Sequence, residues 1–181
     1  MSDPHNLKPF IRSVDDYPVP GIKFRDITSL LEAPSAFATA CSEMTKLTAG
    51  FSPTAVTGIE SRGFIFAGAI ASNLGLPFVL ARKPGKLPND TVSQAFDLEY
   101  GSTFLEIQKN THLTDQDRVV VVDDLIATGG TAVACAELLE VHFSVARENI
   151  LILALIDLPN LGGSDVLRQS GLNVATLLAY P

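Results

Sequence analysis

The chain has 181 residues, a formal net charge of −7 at pH 7 and a sequence pI near 4.8. This length predicts a single domain with a sizeable core, and no apolar run is long enough to span a membrane. The acidic balance argues against nucleic acid or a membrane surface as a partner. Two cysteines without CxxC or histidine spacing argue against a metal centre, and the polar start without a signal peptide's apolar core favours a cytoplasmic protein.

Breakers of regular structure dominate the first part of the chain. Pro18, Pro20 and Gly21 interrupt any helix, so we expect a short helix or turn and then an extended arm over residues 21–26. The spacing of apolar residues then predicts a helix over residues 35–50.

A first strand, polar loop and helix follow. Residues 55–59 predict a short strand, which leads through Glu60, Ser61 and Arg62 into an apolar helix that ends at Leu74. The loop therefore precedes a helix N-terminus, where anions bind. The forked guanidinium of Arg62 suits phosphate oxygens, so this loop is predicted to be an anion site.

The next predicted strand, residues 76–81, ends in a basic cluster. Arg82, Lys83 and Lys86 form the densest group of cations in an acidic chain, at the same predicted edge of the sheet as the first loop. A basic run is usually a solvated face, but this placement favours a polyanion as the ligand.

A long polar segment separates this cluster from the next strand. Residues 87–100 show no clear helical period, and a loop of this length in a small domain is typical of a lid. A lid would shelter a reaction at this edge of the sheet from water. A strand is predicted to resume over residues 103–108.

The most informative run is residues 119–131, with the sequence VVVVDDLIATGGT. Its four valines predict a strand buried on both faces, as in parallel sheets, and a helix is predicted from Ala132 to His142. Residues 127–131, which we name the phosphate loop, then lie at the carboxyl edge of the sheet, where open α/β folds bind ligands. The two glycines allow an anion to approach closely, and the following helix N-terminus favours phosphate.

Two carboxylates, Asp123 and Asp124, stand between that strand and the phosphate loop. They cannot bind the same phosphate, so they are expected to face sugar hydroxyls or a hydrated Mg²⁺. A phosphate on one side and a diol on the other describe ribose 5-phosphate. The run has neither the Gly-Lys-Ser/Thr of a P-loop nor the Gly-x-Gly-x-x-Gly of a dinucleotide fingerprint.

Strands and helices alternate to the end of the chain. Residues 149–157 and 173–178 predict two more strands, and residues 161–170 predict a helix whose start is loosened by Gly162 and Gly163. Alternation with right-handed crossovers predicts an α/β fold with a doubly wound, mainly parallel sheet flanked by helices.

Several longer motifs resemble the type I phosphoribosyltransferases. ATGGT at residues 127–131, after VVDDL at residues 121–125, indicates that family alone. FRDIT at residues 24–28, RKPGKLP at 82–88 and LEYG at 98–101 narrow the resemblance to its adenine-specific members. The resemblance covers nearly the whole chain.

This resemblance implies a purine salvage reaction. The 5-phosphoribosyl group of phosphoribosyl pyrophosphate passes to adenine, giving AMP and pyrophosphate, with Mg²⁺ as the cofactor. It also implies one domain over residues 1–181, in which residues 1–34 form a hood with a base-covering arm and residues 83–102 form a flexible lid. The expected oligomer is a homodimer.

The family's binding roles fall on matching residues of this chain. Those expected to bind phosphate groups are, for the 5-phosphate, Ala127, Thr128, Gly129, Gly130 and Thr131, and, for pyrophosphate, Glu60, Ser61, Arg62, Arg82, Lys83 and Lys86. Those expected to bind the rest of the substrates are Asp123 and Asp124 on the ribose hydroxyls, and Lys23, Phe24, Arg25 and Ile126 on adenine. Mg²⁺ is expected to be held mainly by substrate, with Asp123 and Asp124 acting through water. The peptide bond between Glu60 and Ser61 is expected to be cis.

Catalysis is assigned to two residues. Adenine loses a ring proton as it attacks, so Glu99, carried by the lid beside Tyr100, is the candidate general base. Arg62 is expected to stabilise the leaving pyrophosphate. Because the local sequence alone favours a solvated glutamate equally, the role of Glu99 rests on the resemblance.

The chain departs from the family pattern near the expected base pocket. Ala179, Tyr180 and Pro181 end the chain where a Pro-Phe ending is common, and Ile126 stands where leucine is usual. The pocket is therefore expected to differ in shape. Two alternatives stay open, a phosphoribosyltransferase for another base and a non-catalytic regulator that binds phosphoribosyl pyrophosphate.

Overall fold

The computed structural model describes the backbone of residues 3–98 and 101–181 and the side chains of residues 3–95 and 104–181. At its centre is a five-stranded sheet, whose strands are β3 (Ala55–Ile59), β4 (Phe78–Ala81), β7 (Val119–Ile126), β8 (Ile150–Asp157) and β9 (Asn173–Ala179). The strand order is β4-β3-β7-β8-β9, and every neighbouring pair is parallel. This confirms the predicted sheet and places β7 in the middle.

Helices cover both faces of this sheet. They are α2 (Pro34–Leu47) and α3 (Gly63–Leu74) on one face, and α4 (Gly130–Phe143) and α5 (Gly163–Gln169) on the other. Val120 and Val122 of β7 belong to the first core, whereas Val119 and Val121 belong to the second. Successive residues of a strand point to opposite faces, so the uninterrupted valines serve both cores. Within the described ranges, no helix has the length and apolar character that crossing a membrane requires.

Some predicted boundaries move by a few residues. β7 continues through both aspartates to Ile126, because its pairing with β8 extends as far as Ile126 opposite Asp157. α2 ends at Leu47 rather than at residue 50. A 3₁₀ turn at Pro159–Leu161 takes up the first residue of the last predicted helix, which shortens α5.

The N-terminal segment forms a hood outside the main sheet. A 3₁₀ turn at Lys8–Phe10 leads into β1 (Arg12–Asp15), which pairs antiparallel with β2 (Lys23–Asp26) as a separate two-stranded sheet. The connection contains a cis peptide bond between Tyr17 and Pro18. The predicted extended arm is therefore β2, and the short helix α1 (Thr28–Leu31) follows it.

The prediction of an irregular loop over residues 87–100 is wrong for most of that segment. β5 (Thr91–Leu98) and β6 (Gly101–Gln108) pair in an antiparallel two-stranded sheet. The sequence did not indicate β5 because the alternation of apolar and polar residues in this strand is weak. Gln94 lies on β5 and donates to the Glu137 carboxylate of α4 at 3.0 Å, so a polar residue occupies a position that packs on the body of the protein.

Candidate active site

A cavity of about 710 Å³ opens at the carboxyl edge of the main sheet. It is bordered by the hood, the end of β7, the phosphate loop and the last two residues of the chain. The residues that line it are Gly21, Ile22, Lys23, Phe24, Arg25, Arg62, Leu125, Ala127, Thr128, Gly130, Thr131, Leu158, Asn160, Leu161, Tyr180 and Pro181. The structure thus brings together residues of the predicted base-covering arm, of the phosphate loop and of the anion loop predicted at residues 60–62, which we name the first anion loop.

The phosphate loop turns directly from β7 into α4. Gly129 precedes the helix with a φ of 87°, a left-handed conformation that glycine adopts without strain. No side chain of the described residues caps α4, so its first backbone N–H groups remain for a ligand. These N–H groups and the helix dipole suit an anion, and the hydroxyls of Thr128 and Thr131 lie beside them.

Gly163 supports the phosphate loop from behind, a role that the sequence analysis missed. Its N–H donates to the Ala127 carbonyl at 3.1 Å. A Cβ on Gly163 would lie 2.3 Å from the Ala127 oxygen and 2.7 Å from the Gly129 nitrogen, so only glycine fits. The doublet of Gly162 and Gly163 is the signal in the sequence, and it serves close packing rather than a loosened helix start.

The first anion loop is held against β7 by another close contact. α3 begins at Gly63, where a Cβ would lie 2.6 Å from the Val122 oxygen and 3.0 Å from the Asp123 Cα. The helix N-terminus can approach the central strand because this residue has no side chain. The peptide bond between Glu60 and Ser61, just before the helix, is cis as expected.

The two aspartates of β7 have different surroundings. The Asp124 side chain is 7% exposed, and its Oδ2 lies 2.8 Å from Arg62 Nε as an ion pair. The N–H is not directed at that oxygen, so Oδ2 is buried without a hydrogen-bond partner among the described residues. Asp123 Oδ1 accepts a hydrogen bond from the Asp124 N–H at 2.8 Å. The unused acceptor on Asp124 suits a hydroxyl donor of a ligand.

We expect Asp123→Asn to become more stable relative to the native chain as the pH rises. Burial raises the pKa of the Asp123 carboxyl well above its usual range, and the charge of Asp124 adds to the shift. The folded state therefore keeps a proton that the unfolded chain releases near about pH 3.9, so native stability falls as the pH rises above that value. Asparagine removes this loss. Urea unfolding at about pH 5 and about pH 8 measures the difference.

Asp117→Asn is the matched control for this experiment. Burial opposes the ionisation of Asp117, but hydrogen bonds from Thr54 and Thr114 lower its pKa overall. Its contribution to stability is complete above about pH 3.9 and is lost only as the pH falls further. The destabilisation in Asp117→Asn should therefore be constant between the two pH values. If the difference in unfolding free energy between Asp123→Asn and the native chain were also the same at both pH values, the raised pKa of Asp123 would be contradicted.

The arm of the hood is held over the cavity by cation–π contacts. The Arg62 guanidinium lies 5.0 Å from the centroid of the Phe24 ring, and that of Arg25 lies 4.2 Å from the centroid of the Tyr180 ring. Lys23, Phe24 and Arg25 line the same cavity as the phosphate loop. Tyr180 is a wall residue that the sequence marked only as a departure from a family ending.

The prediction that Ile126 faces the base is wrong. Ile126 is 3% exposed and packs in the core on the α4 side, whereas Leu125 lines the cavity. The two residues are neighbours on β7, and neighbouring residues of a strand point to opposite faces. The sequence analysis ended the strand before the aspartates and therefore lost this alternation.

The predicted pyrophosphate cluster lies beside the cavity rather than in its wall. Arg82 Nε donates to Glu60 Oε2 at 2.9 Å, and the Lys83 N–H donates to the same oxygen at 3.1 Å. Burial opposes the ionisation of Glu60, but these bonds and the charge of Arg82 hold its pKa below the usual range. Lys83 and Lys86 are exposed and form no ion pair with the described residues. Of the predicted pyrophosphate residues, Arg62 alone lines the cavity.

Two predicted residues, Glu99 and Tyr100, lie outside the described residues. Within the described part of the chain, no group of three or more histidine, cysteine, aspartate or glutamate side chains is placed to hold a metal ion. Cys41 and Cys135 are both buried as free thiols. The site therefore consists of a glycine-rich loop at a helix N-terminus, an acidic pair on β7 and an aromatic, cationic arm.

Comparison with known proteins identifies the class to which this fold and site belong. Residues 27–146 match the family described as Phosphoribosyl transferase domain. An adenine phosphoribosyltransferase from Methylobacterium radiotolerans is 48% identical over 174 residues, which cover 96% of this chain and 94% of that relative.

Two solved structures have the same fold over almost their entire length. The adenine phosphoribosyltransferase of Thermoanaerobacter pseudethanolicus is 38% identical, with a TM-score of 0.89 over 97% of this chain and 99% of that one. The APRTase of Giardia lamblia, complexed with 9-deazaadenine, is 36% identical, with a TM-score of 0.91 over 100% of this chain and 99% of that one. The chain therefore belongs to the phosphoribosyltransferase family, in the group whose members are named adenine phosphoribosyltransferase.

Proposed function

We propose that the chain transfers the 5-phosphoribosyl group of phosphoribosyl pyrophosphate to adenine, giving AMP and pyrophosphate in purine salvage. The observation that carries this proposal is a single cavity lined by the phosphate loop, by Arg62 and by the arm of the hood. The names of the similar proteins support the reaction, and the Giardia lamblia relative was solved with an adenine analogue.

The phosphate loop binds the 5-phosphate of the substrate. Backbone N–H groups at the start of α4 and the hydroxyls of Thr128 and Thr131 supply the donors. Asp124 then accepts a hydrogen bond from a ribose hydroxyl through its unpartnered Oδ2, and Asp123 lies beside it on β7. The negative charge of Asp124 also stabilises the cationic character that ribose develops when the bond to pyrophosphate breaks.

Arg62 binds the leaving pyrophosphate at the mouth of the cavity. Its partly exposed guanidinium is already held between Asp124 and the Phe24 ring, so little reorganisation is needed when charge develops. The positive charge at the mouth of the cavity continues beyond its wall through Arg82, Lys83 and Lys86, beside Glu60 and Ser61. We propose that these residues also bind the pyrophosphate.

We infer that the protein is a homodimer, which light scattering of the native chain tests directly.

The acidic pair fits a substrate-bound Mg²⁺. The buried Oδ2 of Asp124 is a hard oxygen that accepts no hydrogen bond from the described residues, and such atoms suit Mg²⁺ or its bound water. The ion, when bound, neutralises charge on the pyrophosphate that leaves. Asp123 and Asp124 would hold it through water, because Mg²⁺ dehydrates reluctantly and usually keeps several of its bound waters.

The arm of the hood covers the adenine ring. Lys23, Phe24 and Arg25 offer backbone donors and acceptors on one side, and Leu125 offers an apolar surface on the other. Adenine must lose a proton as its ring nitrogen attacks, and we propose Glu99 as the base that takes it. Tyr100 then belongs to the same lid, whose closure would exclude water from the reacting sugar.

Turnover with adenine, phosphoribosyl pyrophosphate and Mg²⁺ tests the proposal. AMP and pyrophosphate should form in equal amounts, and a chelator should stop both until Mg²⁺ is restored in excess. Binding of phosphoribosyl pyrophosphate without any product, measured by calorimetry on the same protein, would instead support a regulator that only senses this ligand.

A further inference from the structure

We propose that Tyr180 is a positioning residue that holds the arm of the hood closed over the base. We name the contact between Tyr180 and Arg25 the aromatic latch. The hood is a two-stranded sheet separate from the main sheet, so side-chain contacts fix its position. Ile11 and Ile27 anchor its base in the core, and the latch holds the arm. The inference rests on the proposed function, because it concerns how the same cavity retains its base.

The latch is anchored on the body of the protein. The Tyr180 N–H donates to the Asp157 carbonyl at 3.0 Å, which ties the end of the chain to the end of β8. The Tyr180 ring packs against the core shared by α2 and α3. Its hydroxyl is buried without a hydrogen-bond partner among the described residues, so the ring rather than the hydroxyl makes the useful contacts.

The other half of the latch lies on the arm. The Arg25 guanidinium is 4.2 Å from the Tyr180 ring centroid, and Lys8 Nζ of the hood is 5.0 Å from the same centroid. Arg25 Nη1 donates to Ser13 Oγ on β1, whereas its Nε is buried with no hydrogen-bond partner in the described part of the chain. Two cations of the hood therefore meet one aromatic ring of the body, which is an attractive arrangement.

The latch borders the cavity. Arg25 and Tyr180 both line it, as do Leu158 and Leu161. Thr128, Gly130 and Thr131 of the phosphate loop line the same cavity but take no part in the latch. Loss of the latch should therefore loosen the base and its cover while the grip on phosphoribosyl pyrophosphate stays, a separation that general loss of packing would not give.

Tyr180→Leu and Tyr180→Phe test the latch as a pair. Leucine keeps an apolar side chain but removes the aromatic face, so we expect the KM for adenine to rise on the order of 10-fold with the KM for phosphoribosyl pyrophosphate unchanged within about 2-fold. Phenylalanine keeps the face and removes a hydroxyl without a partner, so its KM values should return to those of the native chain. Equal KM values in the two variants, or an equal rise for both substrates, would overturn the proposal.

Amide hydrogen exchange separates this proposal from the proposed function. In Tyr180→Leu, exchange should accelerate in β1 and β2 but not in α4, and Tyr180→Phe should exchange as the native chain does. Arg25→Met should reproduce the effect in a chain whose C-terminus is intact, so the test stands even if the leucine variant folds poorly. Unchanged exchange of the hood in both variants would overturn the latch. If the hood exchanged faster in these variants but the native protein did not use adenine, the latch would be supported and the assignment of adenine as the substrate would be refuted.

Discussion

Gly163→Ala is expected to lower kcat/KM for phosphoribosyl pyrophosphate by about 100-fold, since a displacement of about 1 Å in a positioning element costs on that order. The new Cβ would lie 2.3 Å from the Ala127 oxygen and 2.7 Å from the Gly129 nitrogen. Both atoms are backbone, so the phosphate loop itself must move. Steady-state kinetics with varied phosphoribosyl pyrophosphate measure the effect.

Gly162→Ala is the matched control for that variant. Gly162 has a φ of 74°, so alanine there costs about 1–2 kcal/mol of backbone strain, yet no atom lies within 4 Å of the added Cβ. We expect lower stability with kcat/KM close to the native value. If Gly162→Ala lost as much activity as Gly163→Ala, the effect would be general destabilisation, and the supporting role of Gly163 would be refuted.

Glu99→Gln is expected to lower kcat by 100-fold or more, because general acid–base catalysis contributes about 10²- to 10⁴-fold. Glutamine keeps the size of the side chain and removes its ability to accept the proton of adenine. The KM for phosphoribosyl pyrophosphate should stay near the native value, since binding of the 5-phosphate and ribose lies elsewhere. Single-turnover formation of AMP measures the chemical step directly.

Glu148→Gln provides the control for a lost surface carboxylate. Glu148 is exposed and lies next to the start of β8, at the opposite edge of the sheet from the cavity. Its replacement should leave turnover unchanged. If Glu99→Gln behaved like Glu148→Gln, another group or water would have to take the proton, although the assignment of the substrates would survive.

The central part of the site could be predicted because its functional residues lie in one continuous stretch of sequence. Four valines, two aspartates and the phosphate loop lie within residues 119–131, and a parallel strand followed by a helix allows few placements for them. The hood's arm lies far away in the sequence, so local patterns could not place it. Motifs that resemble one family supplied that link.

Other features could not be predicted because tertiary packing decides them. Gly163 is a poor signal by itself, and only its distance to Ala127 shows what it does. Whether Leu125 or Ile126 faces the cavity depends on how far β7 continues, and the pairing of β7 with β8 determines this. Tyr180 acquires its role through Arg25, a residue near the other end of the chain.

Pyrophosphate release with four bases supplied one at a time tests the central claim most directly. The native protein would receive phosphoribosyl pyrophosphate and Mg²⁺ with adenine, hypoxanthine, guanine or orotate. We expect release with adenine alone. Release with another base and none with adenine would leave the phosphate loop and acidic pair in place, but it would contradict the assignment of the cavity beneath the arm to adenine.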